Sequence, residues 1–142
     1  MDHQPIVVTK VIDAPAGKVW TAITDKDQMK KWYFHIEDFQ PEVGFEFSFE
    51  GGDDKKKYLH LCKITAVVPG QKITYSWRYE NTENTYVTFE LIPDGDRTTV
   101  KLTHEGVERI EKEEPAYARE NFEAGWQQII GVNLKDYLKG GE

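Results

Sequence analysis

Two hydrophobic periods divide this chain. From about residue 45 to residue 104, apolar and polar residues alternate, the period-two pattern of half-buried strands. In "FEFSFE" the residues Phe45, Phe47 and Phe49 share one face, and Glu46, Ser48 and Glu50 the other. "KITYSWRY" sets Ile73, Tyr75, Trp77 and Tyr79 on one face. "TYVTFELI" does the same with Val87, Phe89 and Leu91, and "RTTVKLTHEG" with Val100, Leu102 and His104. "YLHLCKITAVV" reads as a long strand whose register is ambiguous. The turns between them are "GGDDKKK", "PGQ", "NTEN" and "PDGD", the last a strong hairpin signal. Before this stretch, the β-branched run "IVVTKVI" (6–12) predicts a strand. Pro15 suits a first helical turn, and Val19, Trp20 and Ile23 then recur at helical spacing. A second short helix restarts at "DKDQMKKW" (25–32), where Asp25 and Gln28 predict a capping box.

The end of the chain returns to the helical period. Residues 120–138, "ENFEAGWQQIIGVNLKDYL", read as one amphipathic helix. With Trp126 at zero and about 100° per residue, Phe122, Ile129, Ile130, Asn133, Leu134, Tyr137 and Leu138 fall in one stripe. Gly125 and Gly131 border it, where a glycine lets neighbouring backbone approach closely. Asn133 lies near its middle, and a buried amide without a partner costs about 1–3 kcal/mol. Either a sheet residue satisfies it or it borders a wet cavity.

Six one-faced strands in succession make a curved antiparallel meander, and only the last helix is long enough to cover it. The expectation is an α+β fold: a curved sheet of six to seven strands, two short helices and a long carboxyl-terminal helix. At 142 residues the chain is the size of one domain, taken as residues 1–142. Seven Phe, seven Tyr and four Trp suit a large core or an aromatic-lined cavity. The net charge of −7 argues against nucleic acid or an anionic membrane as partner. The single cysteine, Cys62, forbids an internal disulfide and a Cys-based zinc site. "MDHQPIVV" shows no signal-peptide pattern and no apolar run is long enough to span a membrane, so a cytoplasmic monomer is expected.

Little legible chemistry accompanies this pattern. A strand cysteine without a flanking motif reads as a small buried hydrophobe. His3, His35, His60 and His104 lack metal spacing, so no metal site is expected. His104, and His60 in one reading of its strand, face inward, either as packed histidines or as a base or ligand pair in a cavity. Glu46, Glu50 and Glu90 face solvent by alternation. "EGGDD" is too acidic to cradle phosphate, and no cofactor motif appears. "KKK" at 55–57 reads as a solvated hairpin tip, and the acidic run 108–114 as a solvated connection. No catalytic constellation is assigned.

Three stretches together resemble one family: "IDAPAGKVWTAITD", "MKKW" followed by "FQPEVGFEFSF", and "GWQQIIGVNLKDYL". The chain resembles the START-like superfamily, also called SRPBCC or birch-pollen-allergen-like. Within it, the similarity is to the branch related to the carboxyl-terminal domain of the activator of the heat-shock-protein-90 ATPase. It departs at Phe45, where the family often repeats a glycine; the larger side chain would narrow a pocket mouth. The resemblance implies a helix-grip fold, with a cavity between the sheet and the last helix. The family does not fix a ligand; the leading expectation is a small hydrophobic one such as a lipid, sterol or polyphenol. Phe47, Phe49, Tyr75, Trp77 and Phe89 would line the sheet side, and Trp126, Ile130 and Asn133 the helix side. Trp32 would stand at the mouth, with His60 and His104 orienting polar groups. A heat-shock chaperone as partner, with a role in the stress response, is the first alternative. A cyclase or hydrolase acting on a hydrophobic substrate is the second.

Overall fold

A computed structural model describes residues 4–34, 36–52, 57–80, 82–113 and 117–139. The β-branched run forms β1 (Ile6–Ile12), with Ile6, Val8 and Ile12 pointing inward. Two short helices follow, α1 (Ala16–Thr24) and α2 (Lys26–Trp32). Pro15 stands just before α1 rather than inside it, and its carbonyl accepts from the Lys18 and Val19 amides. The indole of Trp32 donates to the Ala22 carbonyl at 2.9 Å, locking α2 against α1.

Asp25 does occupy the cap position of α2, but the expected capping box does not form: its carboxylate makes no capping bond. Its position explains why. Asp25 also ends α1, and its amide donates to Thr21. That amide is the group a capping-box glutamine would have to reach.

The meander then runs through β2 (Glu46–Gly52), β3 (Lys57–Val68), β4 (Lys72–Tyr79), β5 (Thr85–Asp94) and β6 (Arg97–Glu105). The sheet is six-stranded and antiparallel, in the order β1-β6-β5-β4-β3-β2. The β5–β6 hairpin turns on Gly95, whose φ of +62° is the left-handed value a two-residue hairpin needs. The ambiguity of β3 has a structural cause. His60, Cys62 and Ile64 point inward, and then the register slips between Ile64 and Ala66. This bulge inserts a residue, so Val67 rather than Ala66 joins the core. The "GGDDKKK" turn falls between β2 and β3, and residues 53–56 lie outside the described residues. The acidic connection is not simply solvated. Val107, at the start of a short 3₁₀ turn, and Ile110 are both buried, which anchors the segment to the core.

The last helix, α3, shows where the simple periodic reading fails. Arg119–Gln128 and Lys135–Lys139 are α-helical, but Ile129–Leu134 between them form a π turn. The buried residues are Phe122, Trp126, Ile130, Leu134 and Leu138, spaced by four throughout. In a regular α-helix each step of four overshoots a full turn by about 40°, so this row would wind away from the sheet by about 160°. A π turn holds more residues and takes up the drift. Leu134 and Leu138 therefore come back to the core, and Asn133 is rotated off the face where 100° per residue places it. Asn133 is half-buried, and its Oδ1 accepts from Gln128 Nε2 at 3.1 Å on the exposed side. The glycines divide. A side chain at Gly131 would press on the Lys10 side chain at 3.2 Å, whereas one at Gly125 would meet nothing within 4 Å. Gly125 therefore serves no close approach. No helix among the described residues is long and apolar enough to cross a membrane.

The register of α3 predicts a sharp contrast between adjacent residues. Leu134→Ala removes a fully buried side chain and is expected to cost about 2–5 kcal/mol in chemical denaturation. Asn133→Ala loses one exposed bond and is expected to stay within about 0.5 kcal/mol. Equal losses would show that Asn133 faces the core as Leu134 does, and would overturn this register.

Candidate functional site

The concave side of the sheet and the buried row of α3 enclose an aromatic interior. Period-two alternation brings Phe47 and Phe49 (β2), His60 (β3), Tyr75 and Trp77 (β4), Phe89 (β5) and His104 (β6) to that side, all buried. From α3, Trp126 and Ile130 meet them. Trp126 lies 5.4 Å from Trp77, 6.1 Å from Phe89 and 5.9 Å from His104, ring centre to ring centre. Of the residues expected here, two are placed elsewhere. Asn133 is turned away by the π turn. Trp32 is not at a mouth but is buried against α1, because its indole N–H is satisfied by the Ala22 carbonyl.

Two residues that alternation could not assign complete the interior. Tyr33 and Phe34 follow α2, where the chain leaves helical geometry. Phe34 stacks on Phe49 at 4.6 Å and 22°. Tyr33 stacks on Trp126 at 6.3 Å and 24°, and stands edge-on to Phe89 at 6.2 Å. Its hydroxyl lies 2.7 Å from that of Tyr75. The run "WYF" at 32–34 was the available signal, since three consecutive rings cannot all face solvent cheaply. Gly51 makes room for Phe34: a side chain there would come within 2.8 Å of the ring. Phe45 sits at the rim, 6.2 Å from Phe39 in an edge contact.

The polar groups of this interior are held in a definite order. An indole N–H can only donate, and Trp126 Nε1 lies 3.1 Å from His104 Nδ1. Nδ1 is therefore the acceptor, and the imidazole proton sits on Nε2, 2.8 Å from Thr85 Oγ1. Thr85 passes its own hydrogen to the Trp77 carbonyl at 2.7 Å. Trp126 Nε1, both His104 nitrogens and the Thr85 hydroxyl are thus all satisfied with His104 neutral. Burial pushes this imidazole down to about 3. His60 is the second buried imidazole, stacked on Phe49 at 4.5 Å. Its Nδ1–H donates to the Tyr58 carbonyl at 2.9 Å. Burial pushes it down to about 4, with backbone hydrogen bonds to Tyr58 and Phe49 pulling the other way. Burial raises the Cys62 thiol far above its usual range, so it stays protonated and unreactive. Burial likewise raises the Tyr75 and Tyr33 phenols; their mutual hydrogen bond raises Tyr33 further and pulls Tyr75 back down. Both are neutral at physiological pH.

A groove of about 370 Å³ lies on the opposite side of β2, β3 and β4, lined chiefly by Glu46, Ser48, Lys63, Ser76, Arg78 and Asn84. Its polar lining does not suit an apolar ligand.

The depressed histidines set an acid limit on the fold. A base whose folded pKa lies below its unfolded value of about 6.5 lets the unfolded chain bind more protons once the pH falls under that value. Stability is therefore complete above about pH 6.5 and is expected to fall as the pH drops towards 4. Each histidine contributes a slope of up to about 1.4 kcal/mol per pH unit in that window. Denaturant titrations of the wild type and His60→Phe at pH 7.5, 6 and 5 should show a shallower decline in the variant. Identical slopes would mean that His60 is not held neutral in the folded state.

Comparison with known proteins agrees with this architecture. No curated protein matches the chain. The crystal structure of DynU16, a putative protein in the dynemicin biosynthetic locus, matches 100% of the chain with a TM-score of 0.81 and 22% identity. The chain spans 49% of DynU16, about half its length. Protein MLL2253 from Mesorhizobium loti matches with a TM-score of 0.78 and 25% identity, over 98% of this chain and 99% of its own. Protein CV1439 from Chromobacterium violaceum gives 0.77 and 22%, over 94% and 96%. The model of the family described as "Activator of Hsp90 ATPase homolog 1-like protein" matches residues 13–139, and the chain belongs to that family, a branch of the START-like superfamily.

Proposed function

We propose that this protein binds a small hydrophobic molecule in the interior between the sheet and α3. The observation that carries the reading is how that interior is filled. The sheet and the helix supply fixed rings, but the space between them is closed by Tyr33 and Phe34, which belong to neither. A guest can displace side chains on an irregular segment without breaking the sheet ladder or the helix. Rings on three sides with a few polar points are how small-molecule sites are built. The solved structure from a biosynthetic locus supports the same reading by analogy of fold alone.

Two other readings rank lower. Docking on a chaperone is favoured by the family's description. Under the ligand reading, adding the protein to an Hsp90 ATPase assay leaves turnover unchanged; a dose-dependent rise would favour the chaperone. Catalysis needs a base within reach of a substrate. His104 has both nitrogens occupied by Trp126 and Thr85, and His60 is held well below neutral pH as a weak base.

Tryptophan emission tests the ligand reading directly, because Trp77 and Trp126 face the interior. Titration with fatty-acid, sterol and fused-ring aromatic probes is expected to give a saturable change with at least one class. Trp126→Phe should remove most of that change. A linear, unsaturable response to all three classes would end the proposal.

A further inference from the structure

Tyr33 occupies its place much as a bound molecule would. Its ring stacks on Trp126, meets Phe89 edge-on at 88°, and lies 6.0 Å from Phe49. Its hydroxyl meets that of Tyr75, which projects from the centre of β4 and is itself buried. Apart from its chain neighbours Trp32 and Phe34, 5.0 and 4.7 Å away, its ring partners come from strands or from α3. Tyr33 itself stands where the chain leaves α2, and as a residue it is only half-buried. The Tyr33–Tyr75 pair also differs from the other polar groups of the interior. Two hydroxyls bring two hydrogens, and the single bond between them uses one. The remaining hydrogen has no partner among the described residues, so the pair could hold one more acceptor. The His104 chain has no such spare hydrogen.

We infer that the Tyr33 side chain is a built-in occupant of the ligand slot, and that the ligand it stands in for carries an aromatic ring with a hydroxyl directed at Tyr75. This rests on the ligand reading above and adds the chemical class and the residue that selects it. Tyr75 is the recognition point: its hydroxyl can donate to a ring oxygen and accept from a ring hydroxyl, whichever the guest presents. Phe49, Phe89 and Trp126 clasp the ring. Binding requires Tyr33 to leave, so the wild-type protein is held in a low-affinity state. The apparent dissociation constant is raised by the inverse of the fraction in which Tyr33 is out.

The test compares 2-naphthol with naphthalene, nearly the same ring system with and without the hydroxyl, by tryptophan fluorescence and calorimetry on the full chain. Tyr33→Ala vacates the slot and should bind 2-naphthol at least roughly tenfold more tightly than the wild type. It should prefer 2-naphthol to naphthalene by roughly three- to tenfold, the worth of one net hydrogen bond. Adding Tyr75→Phe should bring that preference to about one. Tyr79→Ala truncates another buried tyrosine, on a strand, and should not raise naphthol affinity, because Tyr33 still fills the slot. If Tyr33→Ala does not fold, Tyr33→Phe keeps the ring but loses the anchor, and a gain of a few-fold is still expected. Equal naphthol binding by wild type and Tyr33→Ala would overturn the occupant role while leaving the ligand reading intact. An equal gain in Tyr79→Ala would reduce the effect to any new cavity and overturn it too. Equal affinity of Tyr33→Ala for the two probes would overturn the hydroxyl class. Failure of both probes with every variant, together with an unsaturable response to the wider panel, would remove the ligand reading itself.

Discussion

The hydrogen bond from the Trp126 indole to His104 is the contact on which the rest of the interior depends. A buried indole N–H needs an acceptor, and its partner here is an imidazole on the far layer. Once Nδ1 accepts, the proton must be on Nε2, Thr85 must receive it, and Thr85 must turn its own hydrogen to the Trp77 carbonyl. One polar chain thus crosses from α3 through β6 and β5 to β4. Apolar rings packed around it could slide; a chain of directed bonds fixes where the helix lies over the sheet. A charged His104 would break the chain at its first link, which is why burial and hydrogen bonding agree on the neutral form.

Fixing Trp126 puts a geometric demand on the rest of α3. The flanking apolar residues sit four apart, and only a wider turn keeps such a row on one side. The π turn begins three residues after Trp126, at Ile129, where the residues beyond the anchor must be brought back. Gly131 lies inside it and gives the Lys10 stem on β1 room to pass. The cost of a glycine in a helix, about 1 kcal/mol against alanine, is therefore tied to how closely this turn approaches the neighbouring strand.

Much of this architecture was legible in the sequence because alternation over successive strands leaves few arrangements. Phe47, Phe49, Tyr75, Trp77, Phe89 and His104 could be assigned to one face from spacing alone, and they are buried together. The structure departs from the simple pattern where a local backbone event changes the period. A bulge after Ile64 blurred β3, and the π turn displaced Asn133 from the centre of the stripe. Neither event has a residue signature comparable to a hairpin glycine. Trp32 departs from its expected place for another reason: its environment is set by one hydrogen bond to α1, which no periodicity encodes. Tyr33 and Phe34 belong to no periodic element, so their inward course could not be read from spacing at all.

The irregular course of Tyr33 and Phe34 bears on function. The polar groups of the interior fall into two kinds. His104, Thr85 and the Trp77 carbonyl are bonded to one another and to Trp126 along regular elements, and a guest could reach them only by breaking the fold. Tyr75 is bonded to a side chain that the regular elements do not hold. Competition for Tyr75 therefore costs the burial of one tyrosine ring. A ring that buries about 150–250 Å² recovers roughly 4–6 kcal/mol at about 25 cal/mol per Å². A guest of one small ring would merely break even against Tyr33, whereas a fused-ring guest would exceed it. Under the proposed reading, the interior would set a lower bound on the size of molecule that can open it, and the ring of Tyr33 would set that bound.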